Sequence, residues 1–174
     1  PTDGGAWGVT AGLKLPTGEI DKTNSAGKLA ERPLQPGSGT TDLLAGIYLN
    51  RQMLIGAKPA AWFVQAQAQL PLTERAEFQP GNQLFFDAGA SYPATDRLSA
   101  LLQLNVHFKG RDRGAEAEPD DSGGRFVSLS PGLGYALTRH LRVYGLVQVP
   151  VYQHVNGVQL TADWSRVAGI NYRL

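Results

Sequence analysis

Cysteine is absent from the 174 residues, which excludes a disulfide framework, a thiolate metal site and a cysteine nucleophile. An excess of charge is also missing. The formal net charge is +1 and the charges are dispersed, so neither a basic field for nucleic acid nor an acidic tail is present. Long apolar runs are lacking too. Although 42% of residues are hydrophobic, no stretch approaches the ~18 apolar residues of a membrane helix. That excludes a helical membrane protein but not a barrel, whose strands alternate and escape hydropathy windows. The opening Pro1-Thr2-Asp3-Gly4-Gly5 has neither the charged nor the apolar region of a signal peptide. Either such a leader has been removed or the chain is a piece of something longer.

What the chain does have is a period of two. Over 160–174 every second residue reads Leu160, Ala162, Trp164, Arg166, Ala168, Ile170, Tyr172 and Leu174, with Thr161, Asp163, Ser165, Val167, Gly169, Asn171 and Arg173 between them. Strand side chains point alternately to opposite faces, so this is a ribbon with one apolar and one polar side. The same pattern predicts strands over 6–15, 41–50, 60–71, 83–93, 97–109, 125–137 and 141–152. Their connections alternate in length: Pro16 to Thr40, Pro71 to Gln83 and Gly110 to Gly124 are long, and those around Ala94 and Thr138 are tight. Asn50 to Pro59 is an untidy member of the short set, and Tyr152 to Gly157 a modest member of the long set. Long loops at one end and short turns at the other is the outer-membrane barrel pattern.

Aromatic residues strengthen that expectation. On the apolar face Trp7, Trp62, Tyr92, Tyr135 and Tyr172 fall at the short-turn end, and Phe86, Phe108 and Trp164 near the long-loop end. Two such girdles are predicted at the two membrane interfaces, whereas a soluble core would hold its large rings centrally. Arg166 is the only charge on this face inside a predicted strand, placed where it can snorkel to head groups. A soluble sandwich or a lipocalin-like ligand carrier is the alternative, since each also has one apolar face, turned inward.

The opposite face is expected to line a lumen through Lys14, Tyr48, Gln65, Gln67, Asp87, Gln103, Asn105, His107, Lys109, Arg142, Tyr144, Asp163 and Arg173. Its charges are mixed, which favours ion pairs bracing the wall over strong selectivity. No second His or Cys stands near His107, so it reads as polar lining rather than a base or ligand. No elbow motif joins a serine to a histidine, so no enzymatic activity is expected. Glu116, Glu118, Asp120 and Asp121 lack calcium-loop spacing and read as a solvated loop. No metal and no cofactor are expected.

The segments Leu13-Lys14-Leu15-Pro16-Thr17-Gly18, Leu34-Gln35-Pro36-Gly37-Ser38-Gly39-Thr40-Thr41-Asp42, Ser130-Pro131-Gly132-Leu133 and Gln148-Val149-Pro150-Val151-Tyr152, in this order, resemble a family of outer-membrane transporters of the phenol-degradation meta-pathway type. The resemblance spans nearly the whole chain. It implies passive uptake of small molecules, with an aromatic acid as solute. Members of that family are longer, with more strands before the LKLPTG-like stretch, which implies that this chain corresponds to their C-terminal part. The ending Gly169-Ile170-x-Tyr172-x-Leu174 resembles the signal read by the barrel-assembly machinery, although outer-membrane barrels more often finish on an aromatic.

The expectation is therefore one all-β domain over 1–174, an antiparallel transmembrane β-barrel of the bacterial outer membrane. Its partners would be outer-membrane lipid, lipopolysaccharide, the assembly machinery and a small-molecule solute, with no nucleic acid. Eight strands closing alone leave an interior filled with side chains, hence a structural or scaffold role. About twelve strands would leave a narrow channel.

Overall fold

In the computed structural model residues 4–173 are described, so the predicted strand end at Leu174 and the opening Pro1 lie outside the described residues. Eight strands form one antiparallel sheet in chain order: β1 (Gly5–Lys14), β2 (Asp42–Ile55), β3 (Lys58–Pro71), β4 (Gln83–Pro93), β5 (Leu98–Lys109), β6 (Gly124–Ala136), β7 (Leu141–Val155) and β8 (Ser165–Tyr172). The sheet curls into a half-barrel. Among the described residues β1 pairs only with β2 and β8 only with β7, so the wall does not close on itself. The only helix among them is two single 3-10 turns, Arg32–Leu34 and Pro119–Asp121, both in long loops.

The register turns the period of two into two surfaces. One row of cross-strand partners runs Trp7, Leu49, Val64, Ala88, Leu104, Leu129, Val149. One residue along, the next runs Gly8, Tyr48, Gln65, Asp87, Asn105, Ser128, Pro150. The apolar row faces outward on the convex side, where Trp7 is 73% exposed and Ile170 74%. The polar row lies on the concave side, where Ser128 and Ser130 are buried. A soluble sandwich or a lipocalin-like carrier requires the reverse, because water drives the apolar face inward.

Four details depart from the expected strands. First, β2 and β3 run on to a turn at Gly56-Ala57, made possible by the positive φ of 63° at Gly56; a side chain in that region would be strained. The longer β2 carries Arg51 on the apolar face, and Arg125 sits there at the start of β6, so Arg166 is not the only strand charge on it. Second, β6 and β7 slip register between Val127 and Ser128, whose partners are Tyr152 and Pro150. Val151 is left unopposed, a bulge next to a proline that cannot donate to the ladder. Beyond it parity flips, and Tyr152 joins the convex face opposite Val127. Third, β8 starts at Ser165, five residues later than alternation predicts. Fourth, the connection before it is correspondingly long, so all four long connections (15–41, 72–82, 110–123, 156–164) lie at one end.

Two of the three short turns share one device. Thr95 Oγ1 accepts the Leu98 N–H at 3.0 Å, and Thr138 Oγ1 accepts the Leu141 N–H at 3.0 Å. A hydroxyl that satisfies the backbone two or three residues on is a turn signal.

Candidate functional site

The concave face is built from layers set by register. Nearest the long loops, Lys14 Nζ donates to Asp42 Oδ2 at 2.7 Å, and Thr40 Oγ1 and Gln69 Nε2 donate to the same carboxylate at 2.6 Å each. Asp42 is 0% exposed. A buried carboxylate is tolerated only when its lone pairs are met and its charge is answered, and both conditions hold here.

Toward the middle, Asp87 accepts from Gln65 Nε2 at 2.9 Å and from Asn105 Nδ2 at 2.8 Å, while Ser130 Oγ donates to Asn105 Oδ1 at 2.8 Å. This chain of bonds crosses four strands. Each is worth ~0.5–1.5 kcal/mol net, and together they hold the wall's side chains in place.

One layer toward the loops the partners are Gln67, Phe85, His107, Phe126 and Gln153. Phe85 and His107 stack with centroids 4.4 Å apart at 7°, and His107 and Phe126 at 5.5 Å and 24°. The spacing is close to the ~4.8 Å between strands, which is why neighbouring rings fall face to face. The His107 ring is oriented by a 3.0 Å hydrogen bond between Nε2 and Gln83 Oε1.

Three other concave rings lie over glycines of the paired strand: Tyr48 over Gly8, Phe63 over Gly89 and Tyr144 over Gly169. The Phe63 ring occupies the space a side chain at Gly89 would fill. Gly89→Ala is therefore expected to push that ring off the wall, at ~1–3 kcal/mol, measured as a lowered urea midpoint of the reconstituted protein.

The loop end is tied by Asp112, which is buried. Its carboxylate accepts the Gly81 N–H at 2.8 Å and Lys109 Nζ at 3.0 Å, and its own N–H donates to Ser122 Oγ at 2.9 Å. Asn156 Nδ2 donates to the Ser122 carbonyl at 2.8 Å. Of the acidic loop residues, Asp120 pairs with Arg111 at 2.5 Å and Asp121 accepts the Val158 N–H at 2.8 Å. Among the described residues no three His, Asp or Glu side chains converge as metal ligands would.

Most of the expected lining residues share this concave face. Gln103 sits opposite Gly89 and Ser130. Arg142 is at the far, short-turn end opposite Asn171, and Arg173 beyond β8 borders the same cleft with Arg139 and His140. Asp163 is not on a strand, since the chain bends there before β8 begins. Trp7, Trp62, Tyr92, Tyr135 and Tyr172 lie on convex rows toward the short turns, and Phe86 and Phe108 toward the loops. Trp164 precedes β8 and so lies off the strands; the guanidinium of Arg166, which stands on the convex row, is 4.9 Å from its ring centroid. The cause is local: the Gln153 amide captures the Ala162 carbonyl at 2.9 Å, so alternation is broken just before the strand.

Sequence reasoning did not single out Asp42, Thr40, Phe126, Gln83 or Asp112. Parity alone marks Phe126 as concave; the others stand in loops or at strand ends, where alternation carries no signal.

A family model described as the MetA-pathway of phenol degradation matches residues 1–162. No curated protein and no solved structure shows significant similarity to the chain.

Proposed function

From the premise that the chain belongs to the MetA-pathway phenol-degradation family, we propose that it forms the wall of an outer-membrane conduit for the passive uptake of small molecules. The observation that carries this reading is the inverted polarity of the sheet. Its convex side is apolar along its central rows and its concave side is polar and hydrogen-bonded. The dimensions support it. From Leu98 to Phe108 the convex side of β5 rises roughly 33 Å at about 3.3 Å per residue. A strand tilt of about 40° projects that to roughly 25 Å, the height of the apolar band on a membrane barrel.

Solutes would move down their gradient along the concave face, screened by its charge and by the loop cluster around Asp112. Such a function involves no catalytic step and no cofactor. The partners are outer-membrane lipid and lipopolysaccharide on the convex side, the assembly machinery acting through β8, and the solute. Among the described residues β1 pairs only with β2 and β8 only with β7, which disfavours a filled scaffold barrel of eight strands, since that needs the two strands joined.

The test is reconstitution of the full-length protein in planar bilayers. Discrete conductance steps are expected; a protein that inserts and stays silent would refute the conduit. The protein should also need detergent, and a monodisperse preparation without it would refute the lipid-facing assignment.

A further inference from the structure

We propose that the short-turn rim of the convex face is a docking surface for anionic phospholipid head groups, an inference that rests on the lipid-facing reading of that face. Charge is unevenly divided along the strands. Within five residues of the three short turns, or at the end of β8, stand Arg51, Lys58, Arg97, Arg139, Arg142 and Arg173. One acid, Asp96, shares that end among the described residues. The four long connections reverse the balance, with eleven acids against six bases. All six short-turn cations are exposed. Among the described residues none of them is paired with a carboxylate, whereas Lys22, Lys109 and Arg111 toward the loops each are.

Position identifies the partner. Arg51 stands on the apolar row opposite Trp62. The Lys58 ammonium lies 5.6 Å from the Tyr92 ring centroid and donates to the Ala94 carbonyl at 2.7 Å. The His140 ring lies 6.3 Å from that of Tyr172, which Arg173 follows in the chain. Arg97 precedes Leu98, the cross-strand partner of Tyr135. Basic residues thus recur around the rim at the level of the aromatic girdle. Interfacial rings sit at head-group depth, where long cationic side chains reach lipid phosphates by snorkelling. Of the three cations that stand on strands, Arg51 and Lys58 are convex and only Arg142 is concave. A lipid leaflet, rather than a solute in the lumen, therefore meets most of this charge. The convex face also carries Arg125 and Arg166 near the loops, but there the excess of loop acids opposes an anionic surface.

Tryptophan quenching by brominated lipids, with the full-length protein in vesicles, tests this. Trp164→Phe leaves Trp7 and Trp62, both at the short-turn girdle, as the reporters of this chain. Dibrominated phosphatidylglycerol is expected to be held about fivefold more tightly than dibrominated phosphatidylcholine, the effect of one engaged cation. The preference should fall as salt rises, because the charges are exposed. Arg51→Gln/Lys58→Gln should bring the ratio close to one. Arg51→Lys/Lys58→Arg, which keeps both charges, should retain it. Equal quenching by the two lipids, or a preference that survives in the glutamine variant, would overturn the proposal. A ratio of one, together with polyglutamate binding in detergent that the glutamine variant loses, would assign the rim to an acidic polypeptide instead. Quenching by neither lipid would refute the lipid-facing reading itself. A lipid preference in a protein silent in bilayers would sink the conduit and leave the rim standing.

Discussion

Asp42→Ala is expected to lower the folding free energy by about 3–5 kcal/mol, nearer the low end. The carboxylate is fully buried and accepts from Lys14, Thr40 and Gln69. Removing it takes an acceptor from three donors at once, one of them an ammonium, although Ser38 Oγ stays within 2.5 Å of Lys14 Nζ and 2.9 Å of Thr40 Oγ1. The Lys14 side chain is about one-third exposed at 35%, so it can turn partly toward water, which keeps the cost from the upper end. A buried charge pair replaced as a unit behaves differently from one broken in half. The double variant Lys14→Met/Asp42→Leu should therefore recover most of the loss. Urea unfolding of the protein in lipid vesicles, followed by tryptophan fluorescence, reads both values. A double variant no more stable than Asp42→Ala would show that the carboxylate acts through Thr40 and Gln69, not through the ion pair.

The second large effect tests which medium covers the convex face. Leu104 lies at the middle of β5 on the apolar row and is exposed. On a soluble protein, arginine at an exposed leucine changes stability by about 0.5 kcal/mol or less. At the midplane of a bilayer the same change costs about 2–4 kcal/mol. Leu104→Arg is thus expected to lose that larger amount in vesicles, while Gln103→Arg, one residue away on the concave face, should lose far less. Equal and small losses at both positions would mean that water, not lipid, covers the apolar row.

These two substitutions also mark how far the sequence alone could be read. Leu104 is legible: its face follows from counting by twos, and the whole convex row follows in the same way. The concave polar residues Gln65, Asp87, Asn105 and His107 are legible as a set for the same reason. Asp42 is not. It stands where a long loop becomes a strand, and nothing local distinguishes a solvated aspartate there from a buried one. Trp164 is misleading, because alternation continues on paper for five residues before β8 although the Gln153 amide holds the backbone out of the sheet. The bulge at Val151 is likewise invisible until β6 is laid beside β7.

The division has one physical origin. Side-chain parity is a property of each strand's own backbone, so the sequence by itself determined the eight strands, their two faces and the sorting of long and short connections. Register is a property of two strands together, and the tertiary structure alone decided what it brings into contact. It placed Phe85, His107 and Phe126 face to face, joined Asp87 to Gln65 and Asn105, brought Gln69 to Asp42, and among the described residues left β1 and β8 without each other. Those contacts depend on hydrogen-bonded alignment between segments far apart in the chain, where a slip of one residue would send every side chain to the opposite face.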